Sequence, residues 1–394
     1  MLASLSIQAV MAGLLSAFVG FASTFALILK GLTSVGATPA QAASGLLAAC
    51  VAMGLAGIVL SLTYRMPISA AWSTPGAALL ASTGAVDGGF PAAVGAFVVT
   101  GGLIVASGLI KPLGRAIAAI PPALANAMLA GILLGLCLAP VRAVAQFPQI
   151  ALGLVLVWAM VARLSRLLAV PATVVALVAI MIVQSPDPGA GLGSGLALLL
   201  PRVELVMPVF TLPAVISIAL PLFLVTMASQ NIPGMAVLHA AGYTPAPGPL
   251  FTATGLFTVM AAPFGAHATN LAAITAALCA NTEAHPDPSR RYWAAVTAGV
   301  TYIAFGLTAG VATALIATSP PILIEAVAGL ALLGAFAGAI LNAVREEQTR
   351  EAAVVTFLVT ASGLSFVGVG AAFWGLLTGA ILIAVDRWRQ RSTA

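Results

Sequence analysis

Apolar runs of about 20 residues, each long enough to cross a bilayer as a helix, follow one another along the whole chain with short polar connections between them. Nothing constrains the fold more. Inside hydrocarbon every backbone amide and carbonyl must be satisfied by the protein, which leaves helices or a closed barrel. A barrel would alternate apolar and polar residues over strands of about 10 residues, and this chain does not. Only 6% of its residues are charged and 61% are hydrophobic, against roughly 25% charged in a soluble domain. The expected class is therefore an all-α polytopic membrane protein.

About fourteen segments can be placed. The first seven run roughly over 8–29, 43–63, 67–83, 90–110, 121–140, 148–165 and 168–184. The second seven run roughly over 210–229, 249–264, 267–281, 291–316, 321–343, 352–362 and 364–385. The first run has no charged n-region and no small-residue cleavage site, so it reads as a retained span.

The formal net charge of +5 does not point to nucleic acid, because Lys and Arg stand singly or in pairs between spans and form no patch. With the N-terminus in the cytoplasm, the basic residues that face outward are Lys30, Arg142 and Arg202, and the rest face inward. The positive-inside rule then places both termini in the cytoplasm. The three cysteines, Cys50, Cys137 and Cys279, have no CxxC spacing and read as small buried residues. HExxH, GxSxG and P-loop motifs are absent, which argues against an intramembrane enzyme. Gly191–Gly195 is weak as a cofactor motif. No cofactor is expected.

Seven spans per half would invert the second half relative to the first, the condition for inverted repeats. A shift of about 195 residues lays Thr74 on Thr269 and superposes the two short, polar-rich segments as the third span of each half. In Ala70–Leu79 ("AAWSTPGAAL"), Pro75 suits the first position of a helix and Ser73 or Thr74 can cap it. A helix over 74–83 rises about 15 Å, half of a hydrocarbon core of about 30 Å. Its amino end, with Gly76 in its first turn, would lie near the midplane and favour an anion. In Gly265–Leu271 ("GAHATNL"), Thr269 or Asn270 can cap a second half-helix running to about Cys279.

His267 begins that second broken segment and can carry a coupled proton. No second histidine stands at metal-binding spacing, so no metal is expected. Glu325 is the acidic residue clearly inside a span and is a second candidate for proton coupling or gating, although the dipole at a helix start also favours an acid there. "SQNIPG" (229–234) closes the eighth span, and Ser23 and Thr24 mark its counterpart in the first. These polar groups can cap helix ends or face a cavity.

The runs "SAFVGFASTFALILKGL", "AAWSTPGAALLAST", "ASQNIPG" and "PFGAHATNLAAITAALC" resemble the benzoate/proton symporter (BenE) family over essentially the whole chain. The resemblance implies a fold like that of the uracil/proton symporter: two inverted seven-span repeats, over 1–200 and 201–394. It also implies a core domain of about 1–115 and 205–318, and a gate domain of about 116–200 and 319–394. Spans 3 and 10 would each carry a short strand and a half-helix. Where the uracil relatives bind their nucleobase with glutamates in spans 8 and 10, this chain has Gln230 and His267, which favours a carboxylate over a nucleobase.

These readings converge on proton-coupled import of benzoate or a related aromatic carboxylate across a bacterial inner membrane. The carboxylate would sit between Ser73/Thr74 and Thr269/Asn270, His267 would take up the proton, Gln230 and Asn231 would orient the ligand, and Trp72 would pack on its ring. The alternatives are a transporter of a nucleobase or inorganic anion, and an uncoupled channel. The expected partners are the small carboxylate, protons and the lipid bilayer, with a homodimer possible in related folds.

Overall fold

The computed structural model describes residues 6–110, 112, 121–184, 201–272, 274–310, 320–364, 366 and 371–393. The first half comprises α1 (Ile7–Ser34), α2 (Pro39–Tyr64), β1 (Ala70–Trp72), α3 (Thr74–Thr83), α4 (Gly89–Leu109), α5 (Pro122–Gln146), α6 (Pro148–Leu164) and α7 (Arg166–Gln184). The second comprises α8 (Leu212–Ala240), α9 (Pro247–Ala261), β2 (Thr269–Leu271), α10 (Ile274–Ala280), α11 (Tyr292–Gly306), α12 (Pro321–Ala343), α13 (Glu347–Ala361) and α14 (Ala371–Thr393). Among the described residues six helices are long and apolar enough to cross a membrane. The glycine-rich stretch 191–195 and parts of the expected eleventh and fourteenth segments lie outside the described residues.

The two broken segments meet. β1 and β2 pair antiparallel, with Ala70 opposite Leu271, Ala71 opposite Asn270 and Trp72 opposite Thr269. Each strand leads into its half-length helix, as expected for spans 3 and 10. The strand bounds correct the alignment of the halves, however. Residues 70–72 correspond to 269–271, an offset of 199 and not 195. Thr269 and Asn270 therefore lie on a strand and do not cap the second half-helix, which begins at Ile274. The cause is backbone hydrogen bonding: an extended pair at that depth satisfies its own amides and carbonyls, which a frayed helix end would leave open. The same offset carries Pro122 of α5 onto Pro321 of α12, and Pro148 of α6 onto Glu347 of α13.

A second correction concerns the eighth span. "SQNIPG" does not end the helix, which continues to Ala240. Two π-helical turns, Val215–Ala219 and Met227–Asn231, precede Pro221 and Pro233. A proline lacks the amide for its own turn and crowds the carbonyl four residues back; a wider turn there lets the ring pass while the helix goes on. Gln230 and Asn231 are consequently mid-helix residues.

Helix packing falls into two sets. α4 packs on α9, α2 on α11, and α1 on both α3 and α11; α5 packs on α12 and α13, α13 on α14, and α6 on α7. The sets meet where α1 touches α7 and α12 and where α3 touches α5. In lipid, helices associate through close packing of small residues. Gly54 of α2 and Gly299 of α11 make this explicit: a Cβ on either would lie 2.6 Å from the other's carbonyl oxygen. Ahead of α8, an irregular strap is tied down by Glu204 N–H to Ser44 Oγ (2.9 Å), Val206 N–H to Pro263 O (2.7 Å) and Val209 N–H to Pro91 O (2.9 Å).

Candidate functional site

Ser73 holds the centre of the molecule. It caps α3, its Oγ accepting the Gly76 amide at 3.1 Å and its carbonyl accepting the Ala77 amide at 2.8 Å. Its own amide donates to Ala268 O at 2.9 Å, extending the strand pair by one rung. Thr226 of α8 donates its hydroxyl to Ser73 Oγ at 2.8 Å. The amino end of α3 is thus more nearly closed than its sequence suggests, because the cap takes the Gly76 amide and Pro75 has none. Gly76 is part of the same fit: a Cβ there would lie 2.4 Å from Leu222 Cδ1.

His267 completes this contact. The side chain is buried, and Nε2 lies 3.0 Å from the Ser73 carbonyl oxygen. A carbonyl only accepts, so Nε2 must carry the hydrogen and the neutral ring holds its lone pair on Nδ1. Nδ1 is buried with no partner in the protein. A buried polar atom without a protein partner calls for an explanation, such as an ordered water, an ion or a functional role. Asn270 offers another such atom: its Nδ2 donates to Leu271 O at 2.7 Å while its buried Oδ1 has no partner.

The remaining residues singled out in the sequence are half-buried or engaged within the protein. Thr74, which follows Ser73 in the chain, and Gln230, which precedes Asn231, are half-buried. Asn231 is buried, with Oδ1 accepting the Leu271 amide at 2.8 Å and Nδ2 3.1 Å from Met227 Sδ, so it positions β2. Thr269 is buried, and its amide donates to Thr258 Oγ1 at 2.9 Å. Trp72 is buried, donates from Nε1 to Thr24 Oγ1 at 2.9 Å, and lies 5.8 Å from the Phe21 ring and 6.5 Å from that of Tyr302. Thr24 passes its own hydrogen to Gly20 O at 3.0 Å. Ser23 hydrogen-bonds back to Val19 O. Glu325 is away from the centre, paired with Lys30 at 2.9 Å.

Three contributors are not legible in the sequence: Thr226, Thr258 and Lys30. The two threonines lie within apolar spans where nothing in the chain marks them as facing the strand pair. Lys30 reads there only as an outward-facing charge. Among the described residues no group of three His, Cys, Asp or Glu side chains is arranged to hold a metal.

Comparison with known proteins agrees with this architecture. Residues 3–385 match the family model BenE, described as benzoate membrane transport protein. An inner membrane protein of Escherichia coli K12, YdcO, is 41% identical over 375 residues, covering 95% of each chain. The benzoate membrane transport protein of Acinetobacter baylyi is 31% identical over 382 residues, covering 95% of this chain and 94% of its own. Among solved structures, the transmembrane domain of the cyanobacterial bicarbonate transporter BicA superposes with TM-score 0.60 at 14% identity, covering 95% of this chain and 98% of that one. Murine Slc26a9, an anion transporter in the inward-facing state, gives TM-score 0.61 at 11% identity over 97% of this chain and 68% of its own. These neighbours share the inverted-repeat fold. A chain with this fold, matched from end to end by one family model, is a membrane transporter and not an enzyme, and it belongs to the BenE family of benzoate membrane transport proteins.

Proposed function

We propose that this transporter imports benzoate or a closely related aromatic carboxylate together with a proton across the bacterial inner membrane. The observation that carries the reading is the Ser73–His267 contact, which fixes the hydrogen on Nε2 and leaves Nδ1 as an open, buried lone pair. A proton taken up at Nδ1 makes the ring a cation with a free donor, and a carboxylate beside it restores neutrality. Moving the two together avoids carrying a bare charge through a low-dielectric region. Thr74 and Gln230, both half-buried, supply hydrogen bonds to the ligand, and the amino end of α3 adds a favourable dipole. The A. baylyi relative, named for benzoate transport, supports the choice of acid. The two-fold relation of the halves supports a cycle in which a core of about 1–115 and 205–318 moves against a gate of about 116–200 and 319–394.

Labelled benzoate uptake into proteoliposomes tests this, with and without an imposed proton gradient and with uracil, sulfate and benzamide as competitors. Accumulation driven by the gradient and blocked only by aromatic acids is expected. Competition by uracil or sulfate points to another substrate, and uptake indifferent to the gradient points to a channel.

A further inference from the structure

Lys30 and Glu325 form a contact that the central site does not use. Lys30 lies in the last two turns of α1 and Glu325 is the fifth residue of α12, with Nζ 2.9 Å from Oε1. The two helices belong to different packing sets, so the pair spans the seam between them. Among the described residues it is the one ion pair that joins two helices. The side chains are 37% and 25% exposed, so neither is sealed away.

Position along α1 places the pair on the face that meets the other packing set. Ser23, Ala26 and Lys30 follow at helical spacing and share one face. Ala26 packs on the apolar cluster built from α5, α6, α7 and α12, so that face looks across the seam. Lys30 lies about 10 Å further along it than Ser23, at 1.5 Å per residue. A partly exposed pair adds little to stability, whereas ionisable residues within spans are usually functional. The dipole of α12 accounts for an acid in its second turn but not for a lysine placed opposite.

An ammonium that pairs with a side-chain carboxylate has the chemistry to pair with a free one, against which the tethered group competes at high effective concentration. We propose that Lys30 is a carboxylate-binding site on the seam, occupied in this state by Glu325, and that a small carboxylate takes Glu325's place when α1 and α12 part. The ligand class rests on the carboxylate reading above. The site adds a waypoint between the membrane surface and the centre, and it makes Glu325 a tethered competitor of the substrate.

Chemical rescue tests it on the purified full chain by thermal unfolding, with benzoate as the probe and benzamide as its uncharged analogue. The wild type, Glu325→Ala and the double variant Lys30→Met/Glu325→Ala are compared. Glu325→Ala is expected to show a Tm rise with benzoate, growing with concentration and clearly larger than the rise in either the wild type or the double variant, and none with benzamide. Equal rises in Glu325→Ala and the double variant, or an equal response to benzamide, overturn the proposal. Benzoate stabilisation of the wild type reports the central site separately. A central site indifferent to benzoate, alongside rescue of Glu325→Ala, sinks the functional reading and leaves this one standing.

Discussion

The imidazole Nε2 of His267 lies 3.0 Å from the carbonyl oxygen of Ser73, a residue 194 positions earlier in the chain. One contact thus joins the two halves of the protein, fixes a tautomer and leaves a lone pair open at the centre.

His267→Gln keeps an N–H that can reach the Ser73 carbonyl and removes the titratable nitrogen. Accumulation driven by a pH gradient should disappear, while exchange of labelled for unlabelled benzoate continues. A gradient of one pH unit corresponds to 1.36 kcal/mol, about tenfold accumulation for one proton. Gradient-driven accumulation in this variant at the wild-type level removes His267 from proton coupling.

Ser73→Ala removes the cap of α3, worth about 1 kcal/mol, and strands the buried Thr226 hydroxyl at a further cost of about 1–3 kcal/mol. Thr226→Val loses the same hydroxyl bond from the other side. The double variant should therefore be destabilised by less than the sum of the single effects, because both remove one interaction. Additive losses in thermal unfolding contradict the hydrogen bond.

The segment pattern is legible in the sequence because a bilayer demands apolar length before anything else of a helix that crosses it. The two broken spans are legible too, since Pro75 and the "GAHATNL" run stand out against apolar neighbours. Thr269 and Asn270 mislead: a residue that can cap a helix can equally sit on a strand, and only the partner strand decides. A better signal for the offset lies in the paired prolines at 121–122 and 320–321, which begin α5 and α12. The continuation of α8 past Asn231 is hidden because a π turn has no side-chain signature and Pro233 reads as a stop. Thr226 is invisible in one dimension, being one hydroxyl in an apolar helix whose value comes from Ser73.

Gly54→Val should fail to give folded protein at wild-type yield. A Cβ at that position would lie 2.6 Å from Gly299 O and 2.7 Å from Ile303 Cγ1, so α2 and α11 would have to separate. Size-exclusion chromatography of detergent-solubilised protein reads this directly, and a monodisperse variant of unchanged Tm contradicts the crossing.

Lys30→Glu and Glu325→Lys each place like charges across the seam between α1 and α12. Stability should change by no more than about 1 kcal/mol, since the pair is partly exposed, while uptake falls markedly in Lys30→Glu, which loses the ammonium. The double swap restores the pair and should recover much of the uptake. Single variants that transport at the wild-type rate show that the contact does not matter to the cycle.

The most direct measurement of the central claim is labelled benzoate uptake by the purified protein in proteoliposomes, with an inward proton gradient applied and then collapsed. Accumulation above equilibrium that vanishes on collapse is the predicted result. Benzoate that never exceeds its external concentration under the gradient contradicts coupled transport.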